Sequence, residues 1–206
     1  MKHFNSANVW GRIHSMTRKT TENGKPYVEL AVNCESSAYG NVRAFGYLWG
    51  EDAVAAFMKA FRPKATVHLR GAFAQYKGRH EAIKTSFTFW KAAPWDPATG
   101  KHKAPRAAFI LVGECMAYEE GGDDGRLVMR LTKENKDGSE AGEDVFELAV
   151  SADALLTLGG LPEPGRTYQV KGALAQEEDE FGEMVKLCRP VAMAIEERAT
   201  GEGVPF

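Results

Sequence analysis

Cysteine is scarce in this chain of 206 residues. The three present, Cys34, Cys115 and Cys188, are odd in number and widely spaced. They fit reduced cytoplasmic thiols rather than a disulfide framework. No apolar run approaches the roughly 20 residues of a membrane span. The opening residues, Met1-Lys2-His3-Phe4-Asn5, lack the apolar core of a secretion signal. The expectation is a cytoplasmic protein without a membrane partner. The marks of an enzyme are missing too: there is no paired-cysteine metal motif, phosphate loop, Gly-x-Ser-x-Gly or His-Glu-x-x-His. His14, His68, His80 and His102 have no matching cluster of acids. The acidic run from Glu119 to Gly125 lacks the spacing of a calcium loop. No catalytic residue, metal or cofactor is therefore predicted.

Negative charge is sparse in the first half. Residues 1–106 hold 17 Lys and Arg against 7 Asp and Glu, a surplus of 10 positive charges. Residues 107–206 hold 9 against 21, a surplus of 12 negative charges. All five histidines and 15 of the 21 Phe, Trp and Tyr lie in the first half. A basic half points to a polyanionic ligand, and an acidic half argues against one there. Base stacking needs flat rings beside cations, so both biases point to the same half.

One stretch occurs twice. Val67 to Gln75, V-H-L-R-G-A-F-A-Q, returns 101 residues later as Tyr168 to Gln176, Y-Q-V-K-G-A-L-A-Q. Asp52-Ala53-Val54 returns at the same offset as Asp153-Ala154-Leu155. Several features at one offset indicate an internal duplication. Alternation of apolar and polar residues predicts strands at 8–16, 27–34, 41–49, 67–73 and 82–90. A helix is predicted at 51–61, with Asp52 as its cap and Pro63 as its stop. The second copy predicts strands at 109–116, 126–133, 144–150, 167–176 and 183–194, with a helix at 152–158. Three strands, a helix and two strands is the order of the OB-fold. The expected fold is all-β with one short helix per domain, as two tandem five-stranded Greek-key OB-fold barrels. Residues 1–92 form the basic barrel, 93–107 a Pro-rich linker, 108–195 the acidic barrel and 196–206 a tail. Each barrel is large enough for its own core.

The first copy resembles the bacterial single-stranded-DNA-binding protein family. The matching residues are Val9-Trp10-Gly11, then Tyr39 with Val42-Arg43-Ala44-Phe45-Gly46, then Arg62-Pro63-Lys64-Ala65-Thr66-Val67-His68-Leu69-Arg70-Gly71-Ala72-Phe73. The likeness covers residues 8–91, and 109–194 more faintly. It implies base stacking at Tyr39 and Phe45. The family's aromatic at the end of its second strand has no counterpart, since that region reads Asn33-Cys34-Glu35-Ser36. Weaker or differently placed binding follows.

The residues give their own reading beside this. A period of two puts Tyr39, Asn41, Arg43 and Phe45 on one strand face, with Tyr47 and Trp49 in phase. The alternative is that Phe45, Tyr47 and Trp49 belong to the barrel core. Arg70, Tyr76, Lys77 and Arg79 add cations and a ring on the next strand and its hairpin. At the 101 offset Arg43 becomes Asp144, and Tyr76, Lys77 and Arg79 become Glu177, Glu178 and Glu180. Positions that invert from basic to acidic look like surface that has lost its ligand. The tail ends Val204-Pro205-Phe206. That tip resembles the family's partner-docking end, a ring and a carboxylate for capture by a basic-rimmed pocket.

Together these features predict a protein that binds single-stranded DNA in replication, recombination or repair, in the setting of a phage, plasmid or integrated element. Its tail would recruit replication or repair proteins, and a homodimer would bring four OB-folds together. The acidic barrel would bind protein, self-associate or occlude the first barrel. A tandem-barrel protein adaptor, or an RNA binder, is the competing expectation.

Overall fold

The computed structural model describes residues 3–36, 40–77, 83–99, 105–122, 124–134, 139–178 and 184–195. At several strand ends, Lys77 among them, it describes the backbone alone. The first five strands are β1 (Phe4–Thr20), β2 (Pro26–Ser36), β3 (Gly40–Trp49), β4 (Thr66–Lys77) and β5 (Ile83–Pro94), with α1 (Glu51–Ala60) between β3 and β4. The second set is β6 (Arg106–Glu119), β7 (Asp124–Glu134), β8 (Glu140–Ser151), α2 (Ala152–Leu158), β9 (Thr167–Glu178) and β10 (Met184–Ile195). The bounds of β9 and β10 are those of β4 and β5 moved by 101 residues.

The first set closes on itself. β1 pairs antiparallel with β2 and β4, β2 with β3, and β4 with β5, while β3 and β5 close the ring in parallel. In the second set β6 pairs with β7 and β9, β7 with β8, and β9 with β10. β8 and β10 pack against each other, but no ladder joins them among the described residues. The architecture is the expected pair of OB-fold barrels with a short helix in each.

Helix α1 buries Val54 and Phe57, and Phe57 stacks on Phe61 with ring centroids 4.8 Å apart. Its cap differs from expectation. Gly50 is the N-cap, at φ 101, and Asp52 sits in the first turn instead. The carboxylate there favours the helix through the macrodipole rather than as a cap. In α2 the cap is a side chain, Ser151 Oγ accepting from Ala154 N at 3.4 Å.

Two features were not predicted. First, β1 starts four residues earlier than the alternation indicated, because Phe4 to Trp10 pairs antiparallel with Val112 to Arg106 of β6. This ladder fuses both barrels into one ten-stranded sheet. Second, the barrels do not have separate cores. Phe73 of β4 lies 4.7 Å from both Phe109 of β6 and Phe146 of β8, so the buried residues form one continuous cluster. The connecting segment is also shorter than expected: β5 runs through Pro94, and Trp95 is buried with its N–H on Thr66 O.

Candidate nucleic-acid interface

Strand β3 alternates cleanly. Val42, Ala44, Gly46 and Leu48 point into the core, whereas Asn41, Arg43, Phe45, Tyr47 and Trp49 point out. The same phase runs through β2, where Val28, Leu30 and Val32 are buried. Register pairs Tyr27 with Trp49, Glu29 with Tyr47, Ala31 with Phe45, and Asn33 with Arg43.

Four rings follow from that register. Tyr27 stacks on Trp49 with centroids 4.7 Å apart and meets Tyr47 edge-on at 5.9 Å. Tyr47 in turn lies 5.3 Å from Phe45 and 6.1 Å from Trp49. Phe45 and Tyr47 are half-buried and Trp49 is 39% exposed, so none of the three is core. Each ring leans on its neighbour and stays partly exposed. The cluster holds cations at both ends. Lys19, opposite Tyr27, donates to Glu29 at 2.8 Å, and that contact raises its pKa. Arg43 Nε donates to Asn33 Oδ1 at 3.1 Å.

The β4–β5 hairpin joins this face. Tyr76 is 48% exposed and stands opposite Lys84. The Tyr47 hydroxyl is held above the usual tyrosine range, first by burial and then by Tyr76, Glu29 and Tyr27, against the opposing pull of Lys19. Strands β1, β2, β3 and β4 thus all contribute to one surface.

The structure brings together Asn41, Arg43, Phe45, Tyr47, Trp49 and Tyr76 from the predicted set. Arg70 is exposed and sits six residues before Tyr76 on β4, about 20 Å from it along the strand. Arg70 faces Asn8 of β1 and Lys91 of β5. Close by, Trp10 is buried between the His68 ring, stacked at 4.7 Å, and the Arg106 guanidinium at 5.2 Å. Tyr39, Arg79, Val204, Pro205 and Phe206 lie outside the described residues, as does the Lys77 side chain.

Sequence reasoning missed Tyr27, Lys19 and Lys84. For Tyr27 a signal existed: it is in phase with Glu29 and Asn33 on a strand whose other face is Val28, Leu30 and Val32. It supplies a ring at the start of β2, whereas the end of β2 turns Cys34 into the core and Glu35 outward. Lys19 and Lys84 had no local signal, since only the β1–β2 and β4–β5 registers bring them to these rings.

The fold and this face define a tandem OB-fold protein with an aromatic, cation-flanked strand surface. Its architecture is that of the single-stranded DNA binding protein from Thermus aquaticus: the wild-type crystal structure matches with a TM-score of 0.65 at 11% identity, over 99% of this chain and 98% of that one. A deletion mutant of the same protein matches with a TM-score of 0.64 at 12% identity over the same shares. At these identities the likeness is one of fold. No family model and no curated protein matches the chain.

Proposed function

We propose that this chain binds single-stranded DNA across the outward face of β2 and β3 of the first barrel. The observation that carries the reading is the contiguous set Tyr27, Phe45, Tyr47 and Trp49, with Lys19, Arg43 and Lys84 around it. Rings with accessible faces stack on bases of any identity, and neighbouring cations take up phosphates. A flat face suits an unpaired strand, whose bases are free to splay onto it. Stacking contributes about 1–3 kcal/mol per base, so two or three stacks with a few phosphate contacts give micromolar or tighter binding at moderate salt, as an order of magnitude. The fold shared with the Thermus aquaticus protein supports the same reading.

In this reading residues 1–92 are the DNA-binding domain. The acidic domain, 108–195, and the tip Val204-Pro205-Phe206 serve assembly and the recruitment of replication or repair proteins. Two chains would supply four barrels. The test is fluorescence anisotropy of the full chain with labelled dT oligomers, against duplex DNA and matching RNA, at two salt concentrations. Salt-sensitive binding to dT with little to duplex is the expected result. Equal binding to RNA would widen the ligand class. Absence of binding at low salt would overturn the reading in favour of a protein adaptor.

A further inference from the structure

We infer that Lys186, on β10 of the acidic barrel, joins Arg43 of β3 to seat one phosphate of the bound strand, so that the DNA site spans both barrels. The inference rests on the single-stranded-DNA reading above and names a residue outside the half that composition points to.

The two cations meet in a cleft of about 410 Å³ that is lined by Asn33, Glu35, Asn41, Arg43, Gln176 and Lys186. Backbone packing sets their separation. Gly40, at the start of β3, has φ 68, and a Cβ there would stand 2.9 Å from the carbonyl oxygen of Gln176 on β9. Lys186 pairs with Gln176 in the β9–β10 ladder and donates its Nζ to the carbonyl oxygen of Arg43 at 3.1 Å. The lysine is therefore held over β3 by an uncharged acceptor.

Neither cation has a carboxylate partner among the described residues. Partial desolvation, and after it the charge of Arg43, lower the Lys186 pKa. Among the described residues Glu35 is the one carboxylate lining the cleft. Asn33 accepts from Arg43 Nε, and among the described residues no acceptor takes the terminal guanidinium nitrogens.

The equivalent corner of the duplicate is built differently. Asp144 replaces Arg43 and is neutralised by Lys133 at 2.7 Å. Thr85 replaces Lys186 and sets its hydroxyl 3.6 Å from Cys188 Sγ. One corner is closed by its own ion pair, whereas among the described residues neither cation of the other has one. Arg43 also precedes Phe45 by two residues on the same face, about 7 Å along the strand. A phosphate seated there would adjoin a base stacked on the first ring.

The test measures dT affinity of the full chain as a function of salt for the unsubstituted protein and for K186Q, K186R and Y47A. Each phosphate contact on a single strand adds about 0.7 to the steepness with which log K falls against log salt, and slope here means that steepness. K186Q is expected to lower that slope by about 0.7 and to weaken binding severalfold at low salt, while K186R retains the slope. Y47A is expected to weaken binding with the slope unchanged. R43Q guards against a folding artefact in K186Q, since it removes the partner cation from the other barrel and should lower the slope as well. A K186Q slope equal to that of the unsubstituted chain, whatever its affinity, overturns the two-barrel seat while leaving the aromatic face intact. Failure of the unsubstituted chain to bind dT overturns the DNA reading and this inference with it.

Discussion

The ring cluster on β2 and β3 makes the sharpest predictions for single residues. Replacing Tyr47, which touches the other three rings, by Ala should weaken dT binding roughly 5- to 150-fold, the effect of one lost stack. Tyr27→Ala should fall in the same range, and anisotropy titration checks both. The buried thiols give a separate prediction. Burial pushes the thiol of Cys34 up to about 12 and that of Cys188 up to about 11. The unfolded chain ionises these groups first, so their contribution to stability is complete below about pH 8.5 and is lost as pH rises toward the folded values. The melting midpoint should therefore fall between about pH 8 and pH 10, as each thiol gives up as much as about 1.4 kcal/mol of stability per pH unit. Cys34→Ala with Cys188→Ala should flatten that fall in a thermal scan.

Within the strands, the repeated stretch has a structural reason of its own. Gly71 of β4 and Gly172 of β9 occupy the same place in the two copies, and a Cβ at either would collide with a neighbouring strand. At Gly71 it would meet the carbonyl oxygen of Thr88 on β5, and at Gly172 the carbonyl oxygen of Arg189 on β10 at 2.6 Å. Both strand pairs carry a register shift near the contact. Gly71→Ala should cost about 1–3 kcal/mol, as forced overpacking does, and a denaturant titration of the full chain measures it. The length of β1 is a different matter. Its extension from Phe4 to Ala7 was invisible to local patterning, because its register is set by β6, about a hundred residues away. Alternation predicted β3 well, since one face of that strand is core and the other is not. It could not tell whether Phe45 and Tyr47 faced inward, because aromatic residues suit either face and only the phase of Val42, Ala44 and Leu48 settles it.

Across the whole molecule, the two barrels depend on one another. Phe73 bridges them through Phe109 and Phe146, and Gln75 clamps β8 by donating to Glu147 O at 2.9 Å and accepting from Glu147 N at 2.6 Å. A fragment of residues 1–106 would expose the β1 edge that β6 now covers, together with the face of Phe73. Unpaired edges recruit other edges. The fragment should therefore self-associate in sedimentation velocity at micromolar concentration, and Phe4→Lys, placed on that edge, should reduce the association. Phe73→Ala in the full chain should cost about 3–5 kcal/mol in one cooperative transition, because its cavity opens a core shared by both barrels. A second, separate transition would show that the barrels unfold independently.

The sequence by itself determined the order of the elements, the two-barrel plan and the side of the molecule where rings and cations gather. Those properties follow from local alternation, from turn residues and from the 101-residue offset, each readable within a short window. Tertiary structure alone decided that the barrels share a sheet and a core, that Tyr27 joins Tyr47 and Trp49, and that Lys186 of the acidic half reaches Arg43. These depend on register between strands and on packing between barrels, where partners lie tens to more than a hundred residues apart. No local pattern encodes such distances.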